Sequence, residues 1–212
     1  MQRALAPIAR WRQHPGLHRL VATLRLMIGF AFIPAGLKKV LGQPFTDPDR
    51  TGPFHDFLHA FYATGWFYNF VGALQLLIAL LLMTQRFAGV GALFAVPVLT
   101  AITAFCWSTA VVPTAIVATL MLLGSVGLVA WELPRLWPAT GAAASARFDL
   151  RLWAGCGLAI IGLYLGLCLL RGEVYRPRRA DPSDPAFYVM PLIALLPLVT
   201  WLVERRRQAA IG

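Results

Sequence analysis

Six long apolar runs dominate the chain, and short polar or charged connections separate them. They lie at about residues 20–38, 67–83, 87–106, 114–131, 152–170 and 187–203. A helix that crosses the hydrocarbon core of a bilayer needs about 17–25 such residues. The pattern therefore predicts an all-α fold, a polytopic membrane helical bundle of about six transmembrane helices.

The connections between the runs add two details. Only TQR lies between the second and third runs, which predicts a tight antiparallel helical hairpin. The longer connection after the first run closes with FHDFLHAFYATGWF, where aromatic residues alternate with His55, Asp56 and His59. Its aromatic side chains favour an apolar surface to pack against, whereas the three polar side chains favour contact with water. This segment is predicted to be an interfacial or re-entrant helix over the outer end of the bundle.

The chain divides into four parts on this pattern. Residues 1–19 form a basic segment, and the apolar run that follows lacks a small-residue cleavage site, which indicates an uncleaved first helix. Residues 20–132 hold a core of four helices. Residues 133–151 form a polar linker, predicted to be cytoplasmic, and residues 152–212 add two more helices and a basic tail.

Composition narrows the class of partner. Hydrophobic residues make up 58% of the chain and charged residues 13%, against roughly 45–50% and 25% in soluble domains. The net charge of +10 is spread over short connections and forms no single basic face. The predicted partners are therefore the lipid bilayer and its anionic lipids, and no nucleic acid.

The distribution of Lys and Arg predicts the orientation of the bundle. With the amino terminus inside, the inner segments hold eleven of these residues: Arg3, Arg10, Arg12, Arg19, Arg86, Arg135, Arg147, Arg151, Arg205, Arg206 and Arg207. The outer segments hold seven: Lys38, Lys39, Arg50, Arg171, Arg176, Arg178 and Arg179. Because cytoplasmic loops carry the excess of Lys and Arg, both termini are predicted to be cytoplasmic.

Cysteine and histidine placement argues against a bound redox centre. Cys106, Cys156 and Cys168 form no CxxC motif, so they are predicted to be small buried hydrophobes. A disulfide between the first and last of these remains open, since both fall near the outer face. All four histidines lie outside the predicted spans, and His55 with His59 supplies too few ligands for a metal. No tightly bound cofactor and no metal is predicted.

Arg25 is the one charge that falls deep inside a predicted span. A charge at that depth is unfavourable unless it is paired or hydrated, which makes it a candidate functional residue. The alternative is that it extends to the inner face or pairs with Glu132, predicted to lie on the same side. Gln75 is a second polar residue within a span, and an amide there can bind a ligand or join two helices.

Residues from Arg25 to about Ser108 resemble the DoxX-like family of small bacterial and archaeal membrane proteins. The resemblance rests on RLMIGFAFIPAGLKKVLG and on FYATGWFYNFVGALQLLIALLLMTQRFAGVGALFAVPVLTAITAF. With a looser fit of the fourth run, it covers about residues 20–132 as a four-helix core. The family commonly has Glu in its second helix where this chain has Gln75, which weakens a proton-carrying role there.

The resemblance implies a role in thiol, sulfur or respiratory redox chemistry in a bacterial inner membrane. We expect an accessory or quinone-interacting subunit with a protein partner, and a quinone is the candidate ligand. The predicted site lies toward the outer side between the first two spans. Its residues are the polar Lys38, Lys39 and Gln75, the aromatic Trp66, Phe67 and Phe32, and, deeper, Arg25.

Two other functions fit the same sequence, and whether the protein is an enzyme stays open. The first is a structural or assembly subunit, whose last two helices dock it into a larger complex. The second is a small-solute carrier, although the chain shows no inverted repeat and few intramembrane carboxylates.

Overall fold

A computed structural model describes residues 11–136, 149–175 and 184–209, and within them the chain forms seven α-helices and no strand. The helices are α1 (Pro15–Val40), α2 (Pro53–Ala63), α3 (Trp66–Met83), α4 (Ala88–Ser108), α5 (Val112–Leu136), α6 (Leu150–Arg171) and α7 (Pro185–Ala209). All except α2 are long and apolar enough to cross a membrane. The predicted all-α fold with six spans is confirmed, and the protein is a multi-pass membrane protein.

The helix ends follow local capping chemistry. Pro15 starts α1, where a missing backbone N–H is harmless, and Lys38 and Lys39 in its last turn complement the helix dipole. Asp149 caps α6 by accepting a hydrogen bond from the backbone N–H of Leu152 at 3.1 Å. Gly172 ends that helix in the left-handed conformation, at a φ of 69°. These capping residues therefore determine where α1 and α6 begin and end, at positions outside the apolar runs.

Helix α1 is the centre of the bundle. It packs along α3 and also touches α5, α6 and α7, while α4 packs against α3 and α5. The helices share one hydrophobic core, to which each span contributes at least one buried residue: Leu26, Leu82, Leu99, Leu128, Trp153 and Ile193. The last two helices therefore join the same core as the first four.

Glycine permits the close approach of α1 and α3. A Cβ atom added at Gly72 would lie 2.5 Å from Cβ of Lys39 and 2.9 Å from the carbonyl oxygen of Gly36. One at Gly36 would lie 2.9 Å from the side chain of Leu76. The two backbones thus pack directly against each other, as small residues allow in membrane helices.

The six spans run alternately up and down, which gives the bundle two ends. The near end holds the start of α1, the α3–α4 turn and the carboxyl-terminal turns of α7. The far end holds the last turns of α1 and α6 and the whole of α2. Large apolar side chains such as Leu120, Leu123 and Leu158 are exposed between the two ends. Such a surface suits lipid, since a soluble monomer rarely exposes so wide an apolar area.

Candidate functional sites at the two ends of the bundle

Arg25 lies in a buried ion pair at the near end. Its guanidinium forms a salt bridge with the carboxylate of Glu132 from α5, and both side chains are almost completely buried. Its Nη1 also donates a hydrogen bond to Oε1 of Gln85 at 3.1 Å. Gln85 sits in the α3–α4 turn with a left-handed φ of 62°. The predicted pairing of Arg25 with Glu132 is confirmed.

A second buried network centres on Glu204 of α7. Arg19 donates from Nε to its Oε2 at 2.8 Å, and the indole of Trp153 donates to the same oxygen at 3.2 Å. The backbone N–H of Asp149 donates to Oε1 at 2.9 Å. One carboxylate therefore joins α1, the start of α6 and α7.

The sequence had placed Arg19, His18 and Glu204 outside the spans, and the structure corrects this. All three are buried side chains within helices, because α1 begins before residue 20 and α7 continues past residue 203. An apolar run ends at its first charged residue, whereas a helix continues if that charge finds a partner. One sequence signal was available. Glu204 directly follows the last apolar run, Arg19 directly precedes the first, and both positions were predicted to lie on the same side of the membrane.

Both networks hold the bundle together. A buried charge with its partner removed is strongly unfavourable, so each pair fixes which helices lie side by side. Arg12 adds a third tie, since its Nη1 donates to the backbone oxygen of Trp131 at 2.9 Å. The near end is therefore locked by polar contacts between α1, α5, α6 and α7.

At the far end, Lys39 is buried beneath aromatic rings. Its ammonium lies 4.3 Å from the ring centre of Phe45 and 5.8 Å from that of Tyr68, and it donates to the backbone oxygen of Ala35 at 3.1 Å. Lys38 donates to the backbone oxygen of Pro44 at 3.5 Å. The two lysines therefore stabilise the end of α1 and the loop that follows it.

Helix α2 packs over the far end, as the sequence predicted. The ring centre of Phe57 lies 4.4 Å from that of Phe105 at the end of α4, and Phe61 lies 5.0 Å from Tyr68 of α3. Nδ1 of His55 shares a 2.6 Å hydrogen bond with Thr46. The two histidines thus have structural partners, since Nε2 of His59 is 3.1 Å from the backbone oxygen of Arg50.

The seven predicted site residues do not meet in one place. Arg25 lies thirteen residues before Lys38 on α1, roughly 20 Å along the helix at 1.5 Å per residue. Trp66 and Phe67 are 77% and 51% exposed and therefore do not line an interior pocket. The structure brings together only part of the set at the far end.

Phe32 and Gln75 are both buried in the bundle. Oε1 of Gln75 has no hydrogen-bond partner among the described residues. Close contact between Gly36 and Gly72 leaves no room for a ring between α1 and α3 at their level. The predicted site between α1 and α3 is therefore closed at this level.

A half-open cavity of about 310 Å³ lies between the far ends of α1 and α6. Its walls include Leu37 of α1, Leu41 directly after that helix, and Leu165 and Leu169 of α6. It is also lined by Cys168 near the end of α6 and by two polar side chains beyond the helix ends, Gln43 and Glu173. None of these seven residues was a predicted site residue, because their apolar neighbours give no sequence signal of a cavity.

The cysteines are free thiols. Cys106 and Cys156 are buried, and Cys168 is partly exposed, so the disulfide left open by the sequence is not present. Within residues 11–136, 149–175 and 184–209, no three His, Cys, Asp or Glu side chains come together as metal ligands would.

Comparison of the chain with models of known families, with curated proteins and with solved structures finds no match. The resemblance to the DoxX-like family therefore stays a prediction that rests on its motifs alone. The geometry of the two ends carries the functional argument: a near end closed by ion pairs and a far end with a cavity.

Proposed function

We propose that this membrane protein is an accessory subunit of a membrane redox system and holds a quinone or a similar lipid-soluble ring. The observation that carries the proposal is the cavity between α1 and α6 at the far end. Pockets for small molecules are concave and mostly apolar, with a few polar groups and volumes from about 300 Å³ upward. The cavity is half open, its volume lies at the lower end of this range, and it combines leucine walls with the polar side chains of Gln43 and Glu173.

The buried ionisable groups support an accessory role. A general acid or base has to reach the reacting group with its own proton. Glu132 and Glu204 are instead held by Arg25 and Arg19, in contacts that join helices. Electron transfer and any proton transfer would then belong to a protein partner in the same membrane complex.

A purely structural subunit is the second candidate, and the near-end networks favour it. They tie every one of α1, α5, α6 and α7 to a neighbour without contributing to the cavity. A structural subunit would need no ligand at the far end, so ligand content separates the two candidates.

The first test is the ligand that accompanies the purified protein. Protein extracted from a bacterial membrane in mild detergent is expected to carry about one quinone per chain, measured by solvent extraction and mass spectrometry. An equal amount of an unrelated six-span protein, purified alongside, gives the background. Quinone at background level would leave the structural candidate standing.

The proposal includes an orientation, with the near end in the cytoplasm of a bacterial inner membrane. Arg86, Arg151 and Arg205 to Arg207 lie at this end, in agreement with the positive-inside rule. A reporter enzyme that is active only in the cytoplasm is expected to work when fused after residue 212. A cysteine introduced at Asp47, at the far end, should react with a membrane-impermeant maleimide in intact cells. The opposite pattern of activity and labelling would reverse the orientation.

A further inference from the structure

Several amide and hydroxyl groups are buried without a hydrogen-bond partner in the first four spans, α1, α3, α4 and α5, and in the turn between α3 and α4. The atoms are Oε1 of Gln75, Nε2 of Gln85, Oγ1 of Thr103 and Oγ of Ser125. Among the residues that the structure describes, α6 and α7 have no such atom. A buried polar atom without a partner is unfavourable, most of all where lipid excludes bulk water. The interior of the first four spans therefore needs hydrogen-bond partners that the protein itself does not supply.

Two of these groups, Gln75 and Ser125, lie at the same depth in the membrane. Leu82 of α3 and Glu132 of α5 each contact a glycine in the first turn of α4, at 3.1 and 3.2 Å from a Cβ atom added there. Gln75 precedes Leu82 by seven residues, and Ser125 precedes Glu132 by seven. Each group is therefore about 10 Å farther from the near end, at ~1.5 Å per residue. Gln75 is the tenth of the 18 residues of α3, so this level is the middle of the span.

Both side chains face the space that the four spans enclose. Seven residues make almost two full turns, so Ser125 shares a face of α5 with Glu132, which contacts both α1 and α4. Gln75 lies on α3 between the side that contacts α1, at Gly72, and the side that contacts α4, at Leu82. The residues Gln75 and Ser125 are 3% and 0% exposed. Because α3 and α5 each pack against α1 and α4, they lie on opposite sides of this space.

We propose that water molecules occupy this space and bridge Oε1 of Gln75 to Oγ of Ser125 in the middle of the membrane. The Oε1 atom of an amide only accepts hydrogen bonds, whereas a hydroxyl donates or accepts, and water can satisfy both. A buried water needs about two to four polar partners. Thr103, about 8 Å nearer the far end on α4, offers a further polar atom, so the waters extend in that direction. This inference is independent of the proposed function, since the site lies inside the first four spans and not beside α6.

Charge and size both favour water as the occupant. Between the two ends, the four spans carry no charged side chain over residues 26–37, 66–83, 88–108 and 112–131. An ion at this depth would therefore have no counter-charge. Gly36 and Gly72 bring α1 and α3 into direct contact near Gln75, which leaves no room there for a ring. A small uncharged molecule that donates and accepts hydrogen bonds meets these conditions, and water is present on both sides of every membrane.

X-ray radiolytic labelling tests for this water in the unaltered protein. Hydroxyl radicals that form from a bound water modify the side chains beside it, and mass spectrometry of peptides gives the rate at each residue. Leu99 is 1% exposed and lies on the buried side of α4, eight residues after Gly91 and so at the depth of Gln75. Ile160 of α6 is 0% exposed and serves as the control. Leu99 is expected to be modified about tenfold faster than Ile160, because only Leu99 has polar groups beside it that can hold water.

A double variant identifies the groups that hold the water. Gln75→Leu with Ser125→Ala removes both polar atoms and is expected to slow the modification of Leu99 about fivefold. Thr100→Val is the matched control, because Thr100 lies at the same depth but is exposed, and its hydroxyl already donates to the backbone oxygen of Val96 at 2.8 Å. This control should keep the wild-type rate.

The stability of Gln75→Leu gives a second measurement. Glutamine and leucine have similar helix propensities, so this substitution isolates the effect of the amide. If water satisfies Oε1, the substitution removes hydrogen bonds from the folded protein, and the midpoint of unfolding in a denaturing detergent is expected to fall. An unpaired amide would instead destabilise the wild type, and its removal would raise the midpoint.

Three results would each overturn the inference. The first is equal modification of Leu99 and Ile160 in the unaltered protein. The second is an unchanged rate at Leu99 in the double variant, and the third is an unfolding midpoint of Gln75→Leu at or above that of the wild type. None of these results bears on the proposed function, which is tested by the quinone content of the purified protein.

Discussion

Replacing Glu204 by alanine is expected to lower the free energy of unfolding by about 3–5 kcal/mol, the usual range when one partner of a buried ion pair is removed. The change leaves the guanidinium of Arg19 buried without its carboxylate, and the donors on Trp153 and Asp149 lose their acceptor. Unfolding by a denaturing detergent, followed through tryptophan fluorescence, measures the difference. Trp153 itself reports on the altered contact.

The matched control is Arg206→Gln, which removes an exposed charge two residues away. Exposed charges contribute about 0–1 kcal/mol, so this variant should unfold like the wild type. The double change Arg19→Met with Glu204→Leu removes both charges and should recover the part of the loss that comes from the unpaired guanidinium, while the donors on Trp153 and Asp149 still lack their acceptor. Equal stability of Glu204→Ala and Arg206→Gln would show that the α6–α7 pair is held by apolar packing alone.

Replacing Gly72 by leucine is expected to separate α1 from α3 at the far end. Even a Cβ atom there would lie within 3 Å of backbone atoms of Gly36 and Val40, which cannot move aside as a flexible side chain does. Overpacking of this kind costs about 1–3 kcal/mol or more, and here it also displaces Lys39 from beneath Phe45 and Tyr68. The fraction of folded monomer after extraction and the unfolding midpoint measure the effect.

Gly162→Leu is the control for this substitution. Gly162 also lies within a span, but a Cβ atom there would meet nothing within 4 Å. Leucine favours a helix over glycine, so the control should be neutral or slightly more stable. Similar losses in both variants would mean that glycine serves helix flexibility here, and the close contact between α1 and α3 would carry no special weight.

These expectations describe a bundle with different properties at its two ends. Ion pairs among α1, α5 and α7 fix the near end, where a change in any partner affects the whole fold. The far end combines a tight α1–α3 contact with a cavity on the α6 side. The near end therefore holds the helices in register, and the far end leaves a half-open gap beside α6.

The sequence by itself determined the number, order and approximate position of the spans. Apolar runs of this length cannot stay in water, and each backbone has to satisfy its hydrogen bonds as a helix. The aromatic segment before α3 was also predictable, because His55 and Asp56 among aromatic residues suit only an interface. The pairing of Arg25 with Glu132 was available as an alternative, since both residues were expected on one side of the membrane.

Only the tertiary structure decided which helices touch and where a gap remains. Arg19 and Glu204 are 185 residues apart, and nothing in the apolar pattern links them. The cavity depends on how far apart the ends of α1 and α6 lie, which no pattern in the sequence records. A hydrophobic run indicates that a helix is surrounded by protein or lipid, but it does not indicate which neighbouring helix packs against each of its faces. For that reason Leu165 and Leu41 could be assigned to a site only after the helices were in place.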